Sequence, residues 1–312
     1  MSQSFSHEMR SELARIMPER KCCIAAQLAA ILRLNGSVEL AGRDQMNCTV
    51  TTENAGTARM VFKFFKELFD IPVIVTMESK KRFKTSKIYT VRARFDREHL
   101  HVLQELGVMN REHGMVYGVA PELVRSRCCK RAYLRGVFLA RGSINKPEGA
   151  YHLEITLPGQ DLARAVQKLA AGSGIKFRLT ERKAAYVLYI KDAEQIVDFL
   201  RVTGASKALL EFENVRIVKS MKNQVNRLVN CETANLEKTL DASMRQVEAI
   251  RILVARSGVE GIPDNLRELA LLRMDFPDMS LKELGELMTP PLTKSGVAYR
   301  MKKLEQILDS SL

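Results

Sequence analysis

The sequence predicts an α+β fold: a duplicated αββαββα unit built on antiparallel sheets, followed by an all-α domain. Three observations carry this. Sliding the chain on itself by 106 positions lays CCIAAQLAAILRLNGSV (Cys22 to Val38) over CCKRAYLRGVFLARGSI (Cys128 to Ile144), with identities at both cysteines, Ala26/Ala132, Leu28/Leu134, Gly36/Gly142 and Ser37/Ser143. Fixed-offset similarity of this kind marks a duplication. Behind each repeated helix, period-two stretches alternate with amphipathic 3.6-period stretches, the pattern of hairpins and helices. From Leu240 onward only helical periodicity remains.

In the first copy (about 22–107), Met46 to Thr52 reads as a strand and Ala55 to Phe69 as an amphipathic helix. Pro72 to Met77 and Ile88 to Phe95 form a hairpin, and Asp96 to Leu106 is a closing helix before Gly107. In the second (about 128–204), the order recurs as Tyr151 to Leu157, Gly159 to Ala171, Ile175 to Thr180 with Tyr186 to Ile190, and a helix capped by Asp192 that runs to about Val202. Such a unit packs its helices on one face of the sheet and leaves the other free for a ligand. The expected domains are 1–215 for the duplicated unit, 216–239 for a helical connector and 240–312 for the C-terminal domain.

Within the repeated helices, small residues recur a turn apart at Ala26 and Ala30 and at Ala132, Gly136 and Ala140, so two backbones can approach closely along one stripe. LRGVFLARG (Leu134 to Gly142) resembles the LAGLIDADG motif of homing endonucleases, and LAAILRLNG (Leu28 to Gly36) is a weaker copy. That resemblance implies paired motif helices on a pseudo-two-fold axis beneath a saddle of two antiparallel sheets. It also implies an acid at the eighth motif position of each helix, to bind the divalent metal that supports phosphodiester cleavage. This chain has Asn35 and Arg141 there. An amide coordinates a cation weakly and a guanidinium repels it. No catalytic residue, metal or cofactor is therefore expected; Glu39 and Glu148 lie nearby but do not repeat between copies.

The chain carries 49 Lys plus Arg against 36 Asp plus Glu, a formal charge of +13. Residues 222–312 hold 13 of each sign, so the whole excess lies in residues 1–221. Alternation places Thr90, Arg92 and Arg94 opposite Tyr89, Val91, Ala93 and Phe95, and Lys176, Arg178, Thr180 and Arg182 opposite Ile175, Phe177 and Leu179. A loop at Lys80, Lys81, Arg82, Lys84 and Lys87 extends the positive face. A basic, threonine-bearing sheet face over an apolar underside suits phosphates and base edges. The candidate saddle contacts are Lys81, Arg82, Lys84, Arg92, Arg94, Lys176, Arg178 and Arg182.

Beyond the duplication, Ser220 to Thr239 is rich in amides, at Asn223, Asn226, Asn230 and Asn235, and is expected to connect domains. Helices follow over Ser243 to Arg256, Pro263 to Arg273, Leu281 to Met288 and Gly296 to Leu308. Ser280 and Glu283 form a capping box, and TPPLTKS interrupts the chain before the last helix. The last two helices fit helix-turn-helix geometry. Lys294, Arg300, Lys302 and Lys303 concentrate positive charge in a stretch without an acid, and the candidate contacts here are Ser280, Lys282, Thr293, Lys294, Ser295, Tyr299, Arg300, Lys302 and Lys303.

The degenerate double motif, the NQVNRLVNCETANLEKT connector and SLKELGELMTPPLTKSGVAYRMKKL together resemble the WhiA family of bacterial proteins over essentially the full chain. The resemblance implies a non-enzymatic DNA-binding regulator linked to cell division, chromosome segregation and sporulation. The expected partner is double-stranded DNA, with other transcription or division proteins besides; a monomer suffices, since the duplication already supplies pseudo-two-fold symmetry. The competing readings are a metal-dependent nuclease or RNA maturase and an architectural protein that uses DNA as an anchor.

No apolar run approaches the roughly 20 residues that span a bilayer, and the N-terminus alternates charges where a signal peptide would be apolar. A cytoplasmic, nucleoid-associated protein is expected. In that reducing setting the adjacent pairs Cys22–Cys23 and Cys128–Cys129 read as small buried apolar residues, because CC lacks the usual ligand spacer and no nearby His completes a zinc site.

Overall fold

The computed structural model describes residues 4–40, 45–82, 84–96, 99–109, 116, 118–183 and 185–310, with side chains omitted at 40, 80–82, 84–86, 100 and 309–310. It divides into two compact units, residues 1–219 and 220–312.

In the first unit, the motif helices are α2 (Lys21–Asn35) and α5 (Arg127–Arg141), preceded by α1 (Phe5–Leu13). The first copy continues as β1 (Gly36–Leu40), β2 (Gln45–Thr52), α3 (Ala55–Phe69), β3 (Val73–Arg82), β4 (Lys84–Asp96) and α4 (Leu100–Glu105). The second runs β5 (Gly142–Ile144), β6 (Leu153–Leu157), α6 (Gln160–Ala171), β7 (Arg178–Arg182), β8 (Ala185–Ile190) and α7 (Ala193–Thr203). Each copy is αββαββα. The sheets have matching orders, β1-β2-β4-β3 and β5-β6-β8-β7, with every pair antiparallel.

Caps set the boundaries that periodicity locates only loosely. Asn54 accepts from the Thr57 amide at 2.9 Å to start α3, and Asp192 from the Gln195 amide at 2.9 Å to start α7. The hairpin of β3 and β4 is longer than expected: the lysine-rich stretch assigned to a loop continues the ladder to Arg82 opposite Lys84. In the second copy Ile175 to Phe177 lie before β7, where the Lys176 amide donates to Gln195 Oε1 at 2.6 Å. The sequence reading also missed α1. Its signals are Ser4 as N-cap and the buried stripe Phe5, Met9 and Leu13. It docks on the second copy, where Ser6 Oγ donates to the Ile144 carbonyl at 2.6 Å and accepts from its amide at 2.7 Å.

The core of the first unit is one cluster around α2 and α5, walled by the inner sheet faces and Phe64, Phe65, Phe95, Phe138 and Phe199. Gly136 lets the helices touch: a Cβ there would lie 2.5 Å from the Gln27 carbonyl oxygen and 2.8 Å from Ala30 Cβ. Beside it, Arg135 is buried and donates to the Thr203 carbonyl at 2.8 Å and Gln27 Oε1 at 3.1 Å. Burial brings its pKa down to about 10, with neighbouring Arg131 adding to the effect.

Helix α8 (Ser206–Ser257) follows, 52 residues long. The expected separate connector and helix from Ser243 are thus parts of one helix. No Gly or Pro occurs between Gly204 and Gly258, and both flanking glycines take positive φ, 86° and 72°, where helices end readily. Asn223, Asn226, Asn230 and Asn235 are exposed, and Asn235 Nδ2 donates to Cys231 Sγ at 3.7 Å, so these amides need not compete with the backbone.

The second unit is completed by α9 (Asp264–Asp275), α10 (Leu281–Leu287) and α11 (Lys294–Ser310). Its core joins Ile250 and Leu253 of α8 to Leu266, Leu269, Leu284, Val297, Met301 and Leu304. Buried Arg273 donates to the Met279 carbonyl at 2.6 Å and to Ser243 Oγ at 3.4 Å, and burial lowers its pKa.

Candidate nucleic-acid interface

The eighth motif positions sit at the C-terminal ends of α2 and α5, where carbonyl groups without helical partners converge. A helix C-terminus carries partial negative charge, and two together disfavour an acid unless a cation sits with it. Here the helices tie off each other. Asn35 Nδ2 donates to the Ala140 carbonyl at 3.3 Å, and Arg141 donates to the Leu34 carbonyl through Nε at 3.2 Å and Nη2 at 3.0 Å. The guanidinium brings positive charge to these helix C-termini and satisfies the orphan Leu34 carbonyl. Gly36 and Gly142 follow because each helix turns directly into a strand: a Cβ would lie 2.4 Å from the Leu32 carbonyl oxygen at one and 2.2 Å from the Phe138 ring at the other.

The open face of the first sheet is read from its register. Arg92 pairs with Thr49 and Ile74, and Arg94 with Asn47, while Thr90 lies between Thr51 and Thr76. Arg92 and Arg94 are exposed, and Val91, Ala93 and Phe95 on the other face are buried. Asn47 Oδ1 and Thr49 Oγ1 are buried acceptors with no hydrogen-bond partner among the described residues. Lys81, Arg82 and Lys84 lie in the β3–β4 hairpin by backbone pairing; their side chains fall outside the described residues.

On the second sheet the open face carries Arg178, Thr180 and Arg182 of β7 beside Tyr189 and Val187 of β8. Arg178 is exposed. Arg182 lies 3.8 Å from Glu154, which His152 also approaches at 3.0 Å. Lys176 is exposed just ahead of the strand. The two basic faces do not fall on corresponding strands. In the first copy the arginines are on β4, an inner strand, whereas β7 is an edge strand whose counterpart is β3. Alternation reveals a strand's faces but not its place in the sheet, which depends on pairing.

In the second unit, α10 opens with a complete capping box. The Ser280 hydroxyl accepts from the Glu283 amide at 3.3 Å and the Glu283 carboxylate from the Ser280 amide at 2.7 Å. That amide and the Ser280 hydroxyl hold the Glu283 carboxyl below the usual range. Gly285 admits the following turn, whose Leu292 amide donates to its carbonyl at 2.9 Å; a Cβ would stand 2.3 Å from the Leu292 oxygen. Thr293 Oγ1 accepts from the Gly296 amide at 3.3 Å and lies 3.1 Å from Ser295 Oγ at the start of α11.

Val297, Met301 and Leu304 bury one face of α11, leaving Lys294, Ser295, Tyr299, Lys302 and Lys303 exposed on the rest. Lys303 Nζ lies 4.9 Å above the Tyr299 ring. Lys282 is also exposed, 3.8 Å from Glu286. Arg300 differs: it is half-buried and donates to the Asn265 carbonyl at 2.9 Å, binding α11 to α9.

A duplicated LAGLIDADG fold whose acid positions are occupied by a guanidinium and an amide, carried with a helix-turn-helix domain, defines the class. Three family descriptions match in turn: "WhiA N-terminal LAGLIDADG-like domain" over residues 21–109, "WhiA LAGLIDADG-like domain" over 130–222 and "WhiA C-terminal HTH domain" over 225–308. The chain belongs to the WhiA family. It is 50% identical over 305 residues to a protein of Syntrophomonas wolfei, covering 97% of each chain, and 46% identical over 307 residues to one of Heliobacterium modesticaldum, covering 98% and 96%. Both bear the name probable cell division protein WhiA. The fold is similar to that of full-length DUF199/WhiA from Thermatoga maritima, with TM-score 0.61, 24% identity and 99% of each chain covered.

Proposed function

We propose that this chain is a non-enzymatic, sequence-reading DNA-binding protein that regulates transcription in cell division, and in chromosome segregation and sporulation where its host carries them out. The observation that carries the non-enzymatic part is the crossed bonding of Asn35 and Arg141, an amide and a guanidinium at the motif positions where acids would hold a catalytic metal. Arg92, Arg94 and Arg178 on the open sheet faces supply general attraction to phosphates. Beside them, the buried and unpartnered Asn47 Oδ1 and Thr49 Oγ1 are polar atoms that an ordered water would satisfy. The exposed face of α11 supplies base contacts in the major groove.

A soluble, nucleoid-associated location accords with this reading, and among the described residues no helix is long and apolar enough to cross a membrane. Mapping genomic occupancy in cells tests it: discrete promoter peaks with matching expression changes are expected, whereas broad occupancy without them indicates an architectural protein. Incubating the purified protein with supercoiled plasmid and Mg²⁺ tests the absence of catalysis. Cutting that EDTA abolishes would overturn that part.

A further inference from the structure

The other end of the motif-helix pair gathers sulfur. Cys22 and Cys23 lie in the first turn of α2, and Cys128 and Cys129 in the first turn of α5. Helix pairing brings these turns together across the pseudo-two-fold axis. Cys23 Sγ and Cys129 Sγ are 3.9 Å apart, and the sulfurs of Cys22, Cys23 and Cys129 all lie within 4.8 Å of one another. Cys128 precedes Cys129 in the same turn of α5, with its Sγ 3.1 Å from Ser126 Oγ, and a side-chain rotation would complete the set. Although adjacent in sequence, Cys22 and Cys23 hold their sulfurs within 4.8 Å of each other, so the missing spacer does not keep both from one cation, and the second pair arrives from the other copy.

From this geometry we infer that Cys22, Cys23, Cys128 and Cys129 form a four-thiolate site for a soft divalent cation of the zinc class. A tetrahedral zinc–thiolate centre, with Zn–S near 2.3 Å, has sulfur–sulfur edges of about 3.8 Å. The Cys23–Cys129 separation already matches such an edge. Packing alone explains buried Cys23 and Cys129, but not Cys22, which is exposed, or Cys128, which is half-buried. Cys48 is the contrast in geometry, a buried thiol outside this sulfur group, although burial raises the Cys23, Cys48 and Cys129 thiols alike.

Charge points the same way. First turns ordinarily favour acids, yet neither α2 nor α5 has one there. Instead Arg20, Lys21, Arg125, Arg127, Lys130 and Arg131 flank the cysteines. Two helix N-termini and these cations suit a dianion. Binding converts four thiols and one M²⁺ into a tetrathiolate of charge −2 and releases four protons to solvent, with no change of oxidation state. The cation would staple the two copies at one end of the helix pair as Asn35 and Arg141 tie them at the other.

The test uses the full chain, reduced, anaerobic and stripped with EDTA, then titrated with Co²⁺ followed by Zn²⁺. One cobalt per chain is expected, with thiolate-to-cobalt charge-transfer and tetrahedral ligand-field bands that Zn²⁺ displaces. Cys23→Ala/Cys129→Ala should lose the bands. Cys22→Ser/Cys128→Ser, at the less buried positions where folding is least disturbed, should lose or distort them, and Cys48→Ala should keep them. Circular dichroism confirms that each variant is folded. No thiolate bands in the reduced wild type, bands unchanged in both double variants, or a Cys23–Cys129 disulfide in protein that takes up no cobalt when reduced would each overturn the inference.

Discussion

Gly136→Ala tests whether close approach of the motif helices holds the duplicated unit together. The new Cβ would sit 2.8 Å from Ala30 Cβ and 2.5 Å from the Gln27 carbonyl oxygen. Carbon–carbon contacts are optimal at about 3.5–4.0 Å, so the helices must part by ~1 Å, which forfeits a quarter to a half of the dispersion energy of each contact across the seam. Overpacking of this kind costs about 1–3 kcal/mol. The upper part of that range applies, because a backbone carbonyl cannot rotate aside. Alanine returns about 1 kcal/mol through helix propensity. A net loss of about 1–2 kcal/mol remains, and at ~2–4 °C per kcal/mol for a unit of this size the melting temperature should fall by about 2–8 °C. Gly149→Ala is the control, since its Cβ would meet only the Lys146 carbonyl oxygen at an ordinary 3.6 Å. Thermal and urea unfolding by circular dichroism give the magnitude, and hydrogen exchange of α2 and α5 peptides locates it. Unchanged or raised stability in Gly136→Ala would refute the reasoning.

On the open sheet faces, Arg92→Ala and Arg178→Ala should each lower the log–log salt slope of DNA binding by about one unit per phosphate contact while preserving sequence preference; equal slopes in both variants would remove these faces as the electrostatic site. On α11, Tyr299→Ala and Lys302→Ala should narrow the gap between a genuine target and random duplex, by ~1–3 kcal/mol for each base contact removed. Competition binding reads this, and full discrimination in both variants would place specificity elsewhere. Ser280→Ala should destabilise the helix-turn-helix domain by about 0.5–2 kcal/mol through loss of the cap. The Glu283 half of the box has a depressed pKa, so its contribution is present above the unfolded value and fades as pH falls through the folded one. Glu283→Gln should reduce this acid sensitivity in melts across the carboxylate range. Asn35→Asp with Arg141→Asp should bring metal affinity without efficient cleavage, because supporting groups must be placed within about 0.5 Å; plasmid linearisation at enzyme-like turnover would contradict this.

The class of fold, the duplication and both αββαββα orders were legible in the chain because each rests on local periodicity and on identities 106 positions apart, such as Gly36 with Gly142. The loss of acids at Asn35 and Arg141 was equally legible, since it is a matter of residue type at a motif position. Local sequence also placed the caps at Asp192 and Ser280, whose partners lie three residues away. Long-range pairing decided the rest. It placed the arginines of β4 on an inner strand and those of β7 on an edge, and it turned Arg300 inward to the Asn265 carbonyl when charge alone grouped it with Lys302. It also brought Cys22 and Cys23 to Cys128 and Cys129, a meeting of thiols that neither copy's own sequence contains. Periodicity records which face a residue occupies within its own element, whereas a site is made where elements meet, and only the packed chain sets those distances.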